Sequence, residues 1–504
     1  MTIASYRELF DIRHPESFYI NGRWVPASGS TRLDVVFPAT ERVVASVPEA
    51  TREEIDAAVA AARAAFDGGV WRRLHPQERG AKLRQLAQLL KDRASVFSDS
   101  WTLEMGGPKM LTGPGGMSPF AIFEYYGQLV ENAAFEDVRP RAGGAVGIVT
   151  REPVGVVAAI TPWNAPVSLS CKIVAPALAA GCSVVLKPAP ETPLFSWILA
   201  ECMEEAGIPA GVFNFVPAGR EVGDWLVRNP MVDKVSLIGS SAAGKYMMGV
   251  CSDRLARVSL ELGGKSAAIV LEDADPAAVV PNLVPHFTAL SGQMCAALTR
   301  IIVPRSRKAE YEEAIRAALE ALKVGDPFDP TTFVGPLAMR RQHEKVMSYI
   351  ERGQHDGARI VTGGRRPEGL NVGYYVAPTL FSDVDNRMVI AQEEIFGPVG
   401  CLIAHDGEAD AIRLANDSNY GLHGAVFTPD AERAYRIIRE MRTGSVTHNG
   451  WIIDSTLPFG GFKQSGIGRD GGPEGLSNYQ ELKTVYMSSV PANLSNWASS
   501  AEIA

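Results

Sequence analysis

Cysteine and histidine are scarce in this chain. Six cysteines, at positions 171, 182, 202, 251, 295 and 401, include no Cys-x-x-Cys pair, and only eight histidines accompany them. That excludes a disulfide scaffold and offers no zinc-ligand spacing. The thiols are therefore read as reduced, in a cytoplasmic protein, and no metal site is expected. Long hydrophobic runs are also missing. The quietest stretch, Ile173 to Leu186, has 14 residues and is broken by Pro176, too short for a bilayer span of about 20 residues. The first residues carry charges every few positions and no apolar h-region, so no secretory signal is expected. Positive charge is not in excess either, with 49 Lys and Arg against 57 Asp and Glu and a net charge of -8. Such a chain has no long-range attraction for nucleic acid or an anionic membrane surface, which leaves a small molecule as the expected partner. Internal repeats and low-complexity tracts are absent.

What is present is apolar content of 46% over 504 residues, enough for two or three cores. Asn21-Gly22 between β-prone residues predicts a hairpin. Thr51 with Glu54 predicts a capping box that opens an Ala-rich helix ending at Gly68-Gly69, and a second helix is expected from Pro76 to about Ala94. From residue 153 the texture changes. The runs "VGVVAAITP", "CSVVLKPAP", "VFNFVPAG" and "KVSLIGSS" read as strands separated by helical segments, which predicts an α/β body with a parallel sheet covered on both faces. A second alternating region runs from "SAAIVLED" through "RIIVPRS", the helix "KAEYEEAIRAALEALKVG" and "GCLIAHD" to "HGAVFTPD". The segments "VRPRAGGAVGIVTREP" and "LKTVYMSSVP" belong to neither body, and such excursions often pair outside their own subunit.

Single motifs leave alternatives open. In "SGQMCAALTR", Cys295 is either an apolar filler or a nucleophile, because a free cysteine is inert unless its surroundings activate it. "LIGSSAAGKY" follows a strand and opens a helix, where backbone N–H groups can hold a phosphate. Gly239, Gly244 and Lys245 have part of the P-loop spacing, but Tyr246 stands where Ser or Thr would bind Mg²⁺. "TPWNAP" puts Asn164 at the carboxyl end of a strand, where open α/β sheets bind ligands; an Asx turn would serve equally. Glu261 in "VSLELGGK" reads as a carboxylate at a mobile chain reversal, and "EEIFGPV" as a loop.

In this order the motifs resemble the NAD(P)-dependent aldehyde dehydrogenase superfamily. The likeness runs from about Phe18 to Val485 and rests on "PWN", "LKPAPETP", "GSSAAG", "LELGGKS", "GQMC", "EEIFGPV", "NYGL" and "PFGGFKQSGIGRDGG". It implies a Rossmann-like cofactor domain (1–133 and 153–262), a second α/β catalytic domain (263–462) and a small β oligomerisation element (134–152 and 478–500) that makes a dimer or tetramer. It also implies that an aldehyde is oxidised to the acid through a thiohemiacetal and a thioester on Cys295. Asn164 and a backbone N–H would hold the oxyanion, and Glu261 would activate the hydrolytic water. NAD, with NADP also usable, would be held by Trp163, Lys187, Pro190, Gly239, Ser240, Gly244, Glu394 and Phe396. Ala165, Ser168, Lys172, Met294, Trp451 and Phe459 would line the substrate pocket, an apolar set suited to a medium or bulky hydrophobic aldehyde, although Lys172 could instead take the carboxylate of a semialdehyde.

Three positions depart from the resemblance. Pro190 stands where NAD-selective relatives carry Glu, with Glu191 one place late. The lysine expected nine residues after Asn164 is Ile173, with Lys172 beside it. "GRD" replaces "GRE" at Asp470. Two rivals use the same cysteine: a CoA-acylating dehydrogenase, which typically lacks the glutamate matched by Glu261, and a cysteine hydrolase pairing Cys295 with His286 or His448.

Overall fold

The structure, a computed structural model, describes residues 12–113, 118–142 and 145–491. Residues 1–11, 114–117, 143–144 and 492–500 of the expected domain ranges lie outside the described residues. The strands Ser17–Ile20 and Arg23–Pro26 pair antiparallel through Asn21 and Gly22, whose φ angles of 53° and 69° are those of a tight hairpin turn. Helix Arg52–Gly68 opens on the expected capping box, with the Glu54 N–H donating to Thr51 Oγ1 at 3.3 Å and the Thr51 N–H to the Glu54 carboxylate at 2.7 Å. The helix from Pro76 ends at Asp92, and a separate helix Ala94–Met105 follows Arg93.

The first large sheet has the order Gly466–Ile467, Arg257–Glu261, Lys234–Ile238, Val156–Ile160, Ser183–Lys187, Phe213–Phe215. Five of its strands run parallel, in four pairings, and only Gly466–Ile467 runs antiparallel on the edge. The strand order reverses beside Val156–Ile160, which makes the gap between that strand and Lys234–Ile238 the switch point where a doubly wound sheet opens a ligand crevice. The register puts Ile238 beside Glu261, Leu237 beside Ile160, and Ile160 beside Lys187. Four sequence motifs therefore end on one edge of one sheet. Helix Pro166–Ala180 crosses this sheet and is buried along nearly its whole length, because the quiet stretch from Ile173 supplies apolar side chains on every face.

The second sheet orders Arg359–Thr362, Thr379–Ser382, Val399–His405, Arg300–Pro304, Ala267–Val270, Gly424–Phe427 and Thr447–His448, parallel apart from the first pair. Helix Lys308–Glu320 is shorter than its sequence pattern, since Lys323 accepts from the N–H groups of Phe333 and Val334 and Val324 bridges Val334. The backbone pairing there outweighs the helical propensity of "ALKVG". A third, antiparallel sheet joins Glu136–Pro140, Val146–Pro153 and Gln480–Met487. The fold is thus α/β, with two mainly parallel sheets and a small β element apart from them. No helix among the described residues is long and apolar enough to cross a membrane.

Candidate active site

Cys295 owes its place to a strained loop. Leu290, Ser291 and Gly292 have φ angles of 51°, 57° and 71° in succession, and the two non-glycine residues cost of order 1–3 kcal/mol each unless their surroundings impose the shape. Here the surroundings do. Ser291 Oγ donates to Gly335 O at 2.7 Å, Gln293 Nε2 donates to Leu290 O at 2.9 Å, and Gln293 Oε1 accepts from the Ala338 N–H at 2.9 Å. A Cβ at Gly292 would fall 2.1 Å from Gly397 O, so the loop presses directly on the "EEIFGPV" turn.

The glycine pair of "LELGG" brings the remaining motifs together. A Cβ at Gly264 would fall 2.4 Å from Cys295 O, and one at Gly263 would fall 2.5 Å from the Glu394 carboxylate. Only glycines allow the strand of Glu261, the cysteine loop and the Glu394 turn to meet. Glu394 Oε1 accepts from the Gly264 N–H at 3.1 Å. Asn164 reaches in from the switch point, its Nδ2 donating to Gln293 O at 2.9 Å while Trp101 Nε1 donates to Asn164 O at 2.8 Å. Trp163 and Phe396 meet edge to face with centroids 5.3 Å apart.

These residues enclose a cavity of about 160 Å³ whose wall includes Cys295, Glu261, Asn164, Trp163, Gly239, Ser240, Glu394 and Phe396. Eight residues singled out from the sequence are thus brought to one space. Lys187, Pro190 and Gly244 do not line it. Lys187 is buried on the same sheet edge, its Nζ donating to Pro188 O at 2.9 Å and Ala218 O at 3.0 Å, and burial lowers its pKa to about 8. Gly244 serves packing, since a Cβ there would meet Leu262 at 2.7 Å. Ser240 caps helix Ser241–Ser252, its Oγ accepting from the Ala243 N–H at 3.2 Å. Lys245 is exposed and Tyr246 is bonded to Asp224 and Arg228, so the partial P-loop spacing has no P-loop geometry.

Glu261 corrects its sequence reading. It is the last residue of its strand, flanked on the sheet by Ile238 and Gly466, and only 6% exposed rather than at a mobile reversal. Both carboxylate oxygens lack a hydrogen-bond partner among the described residues. Burial, followed by the Asp470 charge, holds the group well above the usual carboxylate range, with Lys172 and Arg469 pulling it down. Burial also pushes the Cys295 thiol to about 12, aided by Glu394 and Glu261 and opposed by Lys172 and the Ala296 N–H.

None of the six expected substrate residues is on the wall of this cavity. Trp451 donates from Nε1 to Ala296 O at 3.3 Å and stacks on His286 at 5.2 Å, and Met294 packs against both the core cluster that Trp451 also borders and the one that contains Ala165. Phe459 lies over Lys172 Nζ, 5.2 Å from the ring centroid. Ala165 is buried at the helix start, and Ser168 lines a separate cavity of about 30 Å³, so neither faces the cysteine cavity. His286 and His448 are not on the wall with Cys295 either: the first is stacked on Trp451 and the second shares a hydrogen bond with Thr428 O at 2.9 Å. Neither histidine is hydrogen-bonded to Cys295 among the described residues, so the structure offers no formed Cys–His pair of the kind a hydrolase uses. Sequence reasoning missed Gln342 and Lys345, which also line the cavity. Gln342 Nε2 donates to Ile395 O at 3.1 Å and Phe396 O at 2.7 Å and fixes Phe396 at a φ of 60°. Both sit in the polar pattern "RQHEKVMSYIERGQH", which reads as an ordinary solvated helix.

The Aldehyde dehydrogenase family matches residues 24–485. Geranial dehydrogenase of Castellaniella defragrans is 44% identical over 473 residues, covering 94% of this chain and 98% of that protein. A Mycobacterium tuberculosis aldehyde dehydrogenase solved with NAD+ superposes with a TM-score of 0.91 at 44% identity, covering 94% of this chain and 98% of the other. Aldehyde dehydrogenase C of Pseudomonas syringae, solved as a cysteine-to-alanine mutant with NAD+ and octanal, gives a TM-score of 0.91 at 39% identity, covering 95% and 98%. The chain belongs to the aldehyde dehydrogenase family, enzymes that oxidise an aldehyde to the carboxylic acid with a nicotinamide cofactor.

Proposed function

We propose that Cys295, Asn164 and Glu261 carry out aldehyde oxidation in this chain, with NAD+ and also NADP+ accepted. The observation that carries the assignment is their meeting in one cavity that opens at the switch point of the first sheet. The residues there fit a dinucleotide: a helix N-terminus for the pyrophosphate behind Gly239 and Ser240, the Glu394 carboxylate for a ribose, and the Trp163–Phe396 pair beside the nicotinamide. When bound, the cofactor supplies a hydride acceptor. The chain does the rest. Cys295 releases its proton to solvent water and its sulfur attacks the aldehyde carbon, while the Asn164 amide and a backbone N–H beside Cys295 hold the resulting oxyanion. Loss of hydride from that carbon leaves a thioester on Cys295. Glu261 takes a proton from water as its oxygen attacks the thioester, and the thiolate departs as the acid forms. The presence of Glu261 favours water over CoA as acceptor. Aldehyde-dependent growth of the reduced-nicotinamide absorbance with free acid as product is the test; acyl-CoA as the product would overturn the assignment.

Both reacting groups are held above their ordinary pKa values, so both are more fully deprotonated as pH rises. Turnover is expected to climb through and above neutrality, with an ascending limb on the alkaline side of 7. A pH–rate profile that is flat from 6 to 9 would contradict this.

The apolar set of Met294, Trp451 and Phe459 supports a hydrophobic aldehyde, the kind named for the relatives with geranial and octanal. A turnover screen across aliphatic, aromatic, terpenoid and semialdehyde substrates ranks the classes. Cofactor choice turns on Pro190, which can neither accept from a 2′-OH nor repel a 2′-phosphate. Glu191, the adjacent carboxylate, is held by Arg341 at 2.5 Å. The two cofactors should lie within about two orders of magnitude in kcat/KM, and Pro190→Glu should shift preference toward NAD+. A wild-type NAD+ preference above about a thousandfold that Pro190→Glu leaves unchanged would refute this.

The separate three-stranded sheet, with Leu482 at 68% and Tyr486 at 70% exposure, supports pairing between subunits as a dimer or a tetramer of dimers. Light scattering showing an active monomer at micromolar concentration would refute it. The six unpaired thiols support a reducing, cytoplasmic setting.

A further inference from the structure

Asn164 stands in the short link between strand Val156–Ile160 and helix Pro166–Ala180, and that helix starts on Ala165 without a side-chain cap. What holds the link comes from far back in the chain, on helix Ala94–Met105. Trp101 on this helix is buried, and its Nε1 donates to Asn164 O at 2.8 Å. One turn on, the buried Glu104 accepts from the Leu194 N–H at 2.8 Å. Leu194 closes the loop that leaves strand Ser183–Lys187, the neighbour of Val156–Ile160 in the sheet. Two adjacent strands therefore send the loops at their carboxyl ends to one helix. The same helix meets the support of the cysteine loop. A Cβ at Gly106, its C-cap, would fall 2.7 Å from Pro336, and one at Gly335 would fall 2.2 Å from Gly106 O. Gly335 O and the Ala338 N–H are the groups that hold Ser291 and Gln293. Between the two loops lies a small apolar cluster of Trp101, Met105, Ala165, Leu290 and Ala338, with Trp163 and Met294 packed against it. Its members include both chain neighbours of Asn164 and the residue before Cys295.

We propose that Trp101 is a positioning residue for the oxyanion site: its indole N–H fixes the Asn164 peptide and its ring braces that peptide against the cysteine loop, so that the Asn164 amide is already aimed when Cys295 attacks. This rests on the assignment of Asn164 as the oxyanion donor. Asn164 Nδ2 spends one N–H on Gln293 O at 2.9 Å, and an amide nitrogen carries two. The second can keep one direction only while the backbone of Asn164 and the carbonyl of Gln293 stay in register. Trp101 secures the first, and the bonds of Gln293 to Leu290 O and the Ala338 N–H secure the second. Donors fixed in advance stabilise developing charge without reorganising at the moment of reaction, and a small displacement forfeits much of that gain. Without the indole N–H the Asn164 carbonyl would be left buried and unsatisfied, which favours turning the peptide toward another donor. Trp101 itself is not on the wall of the cysteine cavity, so it acts through Asn164 and not on the aldehyde.

The test is a double-mutant cycle read by rapid mixing, as the rate at which reduced cofactor forms in the first turnover. Trp101→Phe keeps an aromatic ring and removes the N–H. It should slow that burst about tenfold, against about a hundredfold for Asn164→Ala. Aldehyde KM and dinucleotide affinity should stay within about threefold, since the ground-state contacts are untouched. In the Asn164→Ala background the same Trp101→Phe change should cost less than about twofold, because a residue that acts through another has nothing left to act on. A burst slowed less than about twofold by Trp101→Phe alone, or an equal loss in both backgrounds, would overturn the proposal. If Trp101→Phe does not fold by circular dichroism, benzothienylalanine at position 101, which replaces the indole N–H with sulfur and keeps the ring shape, decides alone. It should slow the burst at least about threefold with Asn164 present and leave the Asn164→Ala rate unchanged; a wild-type burst would overturn the proposal. A burst that Asn164→Ala itself leaves at the wild-type rate would instead overturn the assignment of Asn164, and the proposal with it.

Discussion

Cys295→Ala is expected to reduce aldehyde oxidation below about a hundredth of the wild-type rate while leaving dinucleotide affinity within a few fold. In the proposed assignment the thiol is the covalent partner of the substrate, whereas Gly239, Ser240, Trp163, Glu394 and Phe396 would hold the cofactor. No other cysteine can take its place. The other five are buried, and none lines the cavity. Burial is the main cause that pushes Cys182 and Cys202 to about 12. Cys295 has a similarly raised pKa but differs in position, since it shares one cavity with the Asn164 amide and the Glu261 carboxylate. Single alanine variants of the other five should therefore keep most of their activity. The measurements are steady-state turnover and a dinucleotide titration of each variant. Residual turnover of Cys295→Ala above about a hundredth of wild type would exclude the covalent route.

The local elements were legible because their signals are local. Asn21-Gly22 states its turn type, Thr51 and Glu54 state a helix start, and alternating strands and helices after residue 153 state a parallel sheet. Motifs at strand ends were legible as a set, since parallel strands all deliver their carboxyl ends to one edge and the site follows from that edge. What failed depends on partners distant in sequence. Glu261 looked exposed because nothing near it in the chain reveals that Gly466, some two hundred residues on, closes the sheet beside it. Ser168 and Met294 are both apolar-site candidates by position, yet only tertiary packing decides that Ser168 faces another cavity. Gln342 and Lys345 are not legible because a polar residue on an amphipathic helix looks the same whether it faces water or a buried site. Gly263 and Gly264 read in the sequence only as a turn, whereas their missing side chains are what lets the cysteine loop and the Glu394 turn close on the strand.

Glu261→Gln is expected to separate the two halves of the reaction. Formation of the thioester needs the Cys295 sulfur, the Asn164 amide and a hydride acceptor, none of which the substitution removes. Hydrolysis needs a group to take a proton from water, and an amide cannot. The mutant should therefore release a burst of reduced cofactor approaching one per active site and then stall, with steady-state turnover down by about two orders of magnitude or more, within the range general-base loss produces. The replacement is nearly isosteric at a site where both oxygens already lack hydrogen-bond donors among the described residues, so it removes a buried charge without breaking a bond. The fold should be retained or slightly stabilised, because burying an ionisable group without donors is costly. Rapid mixing followed by mass spectrometry of the quenched protein distinguishes the outcomes. Acylated Cys295 accumulating in proportion to the burst places Glu261 after hydride transfer. An unmodified Cys295 with no burst would show that the carboxylate acts earlier, as the acceptor of the thiol proton, a role that burial of both groups in one cavity would then have to explain.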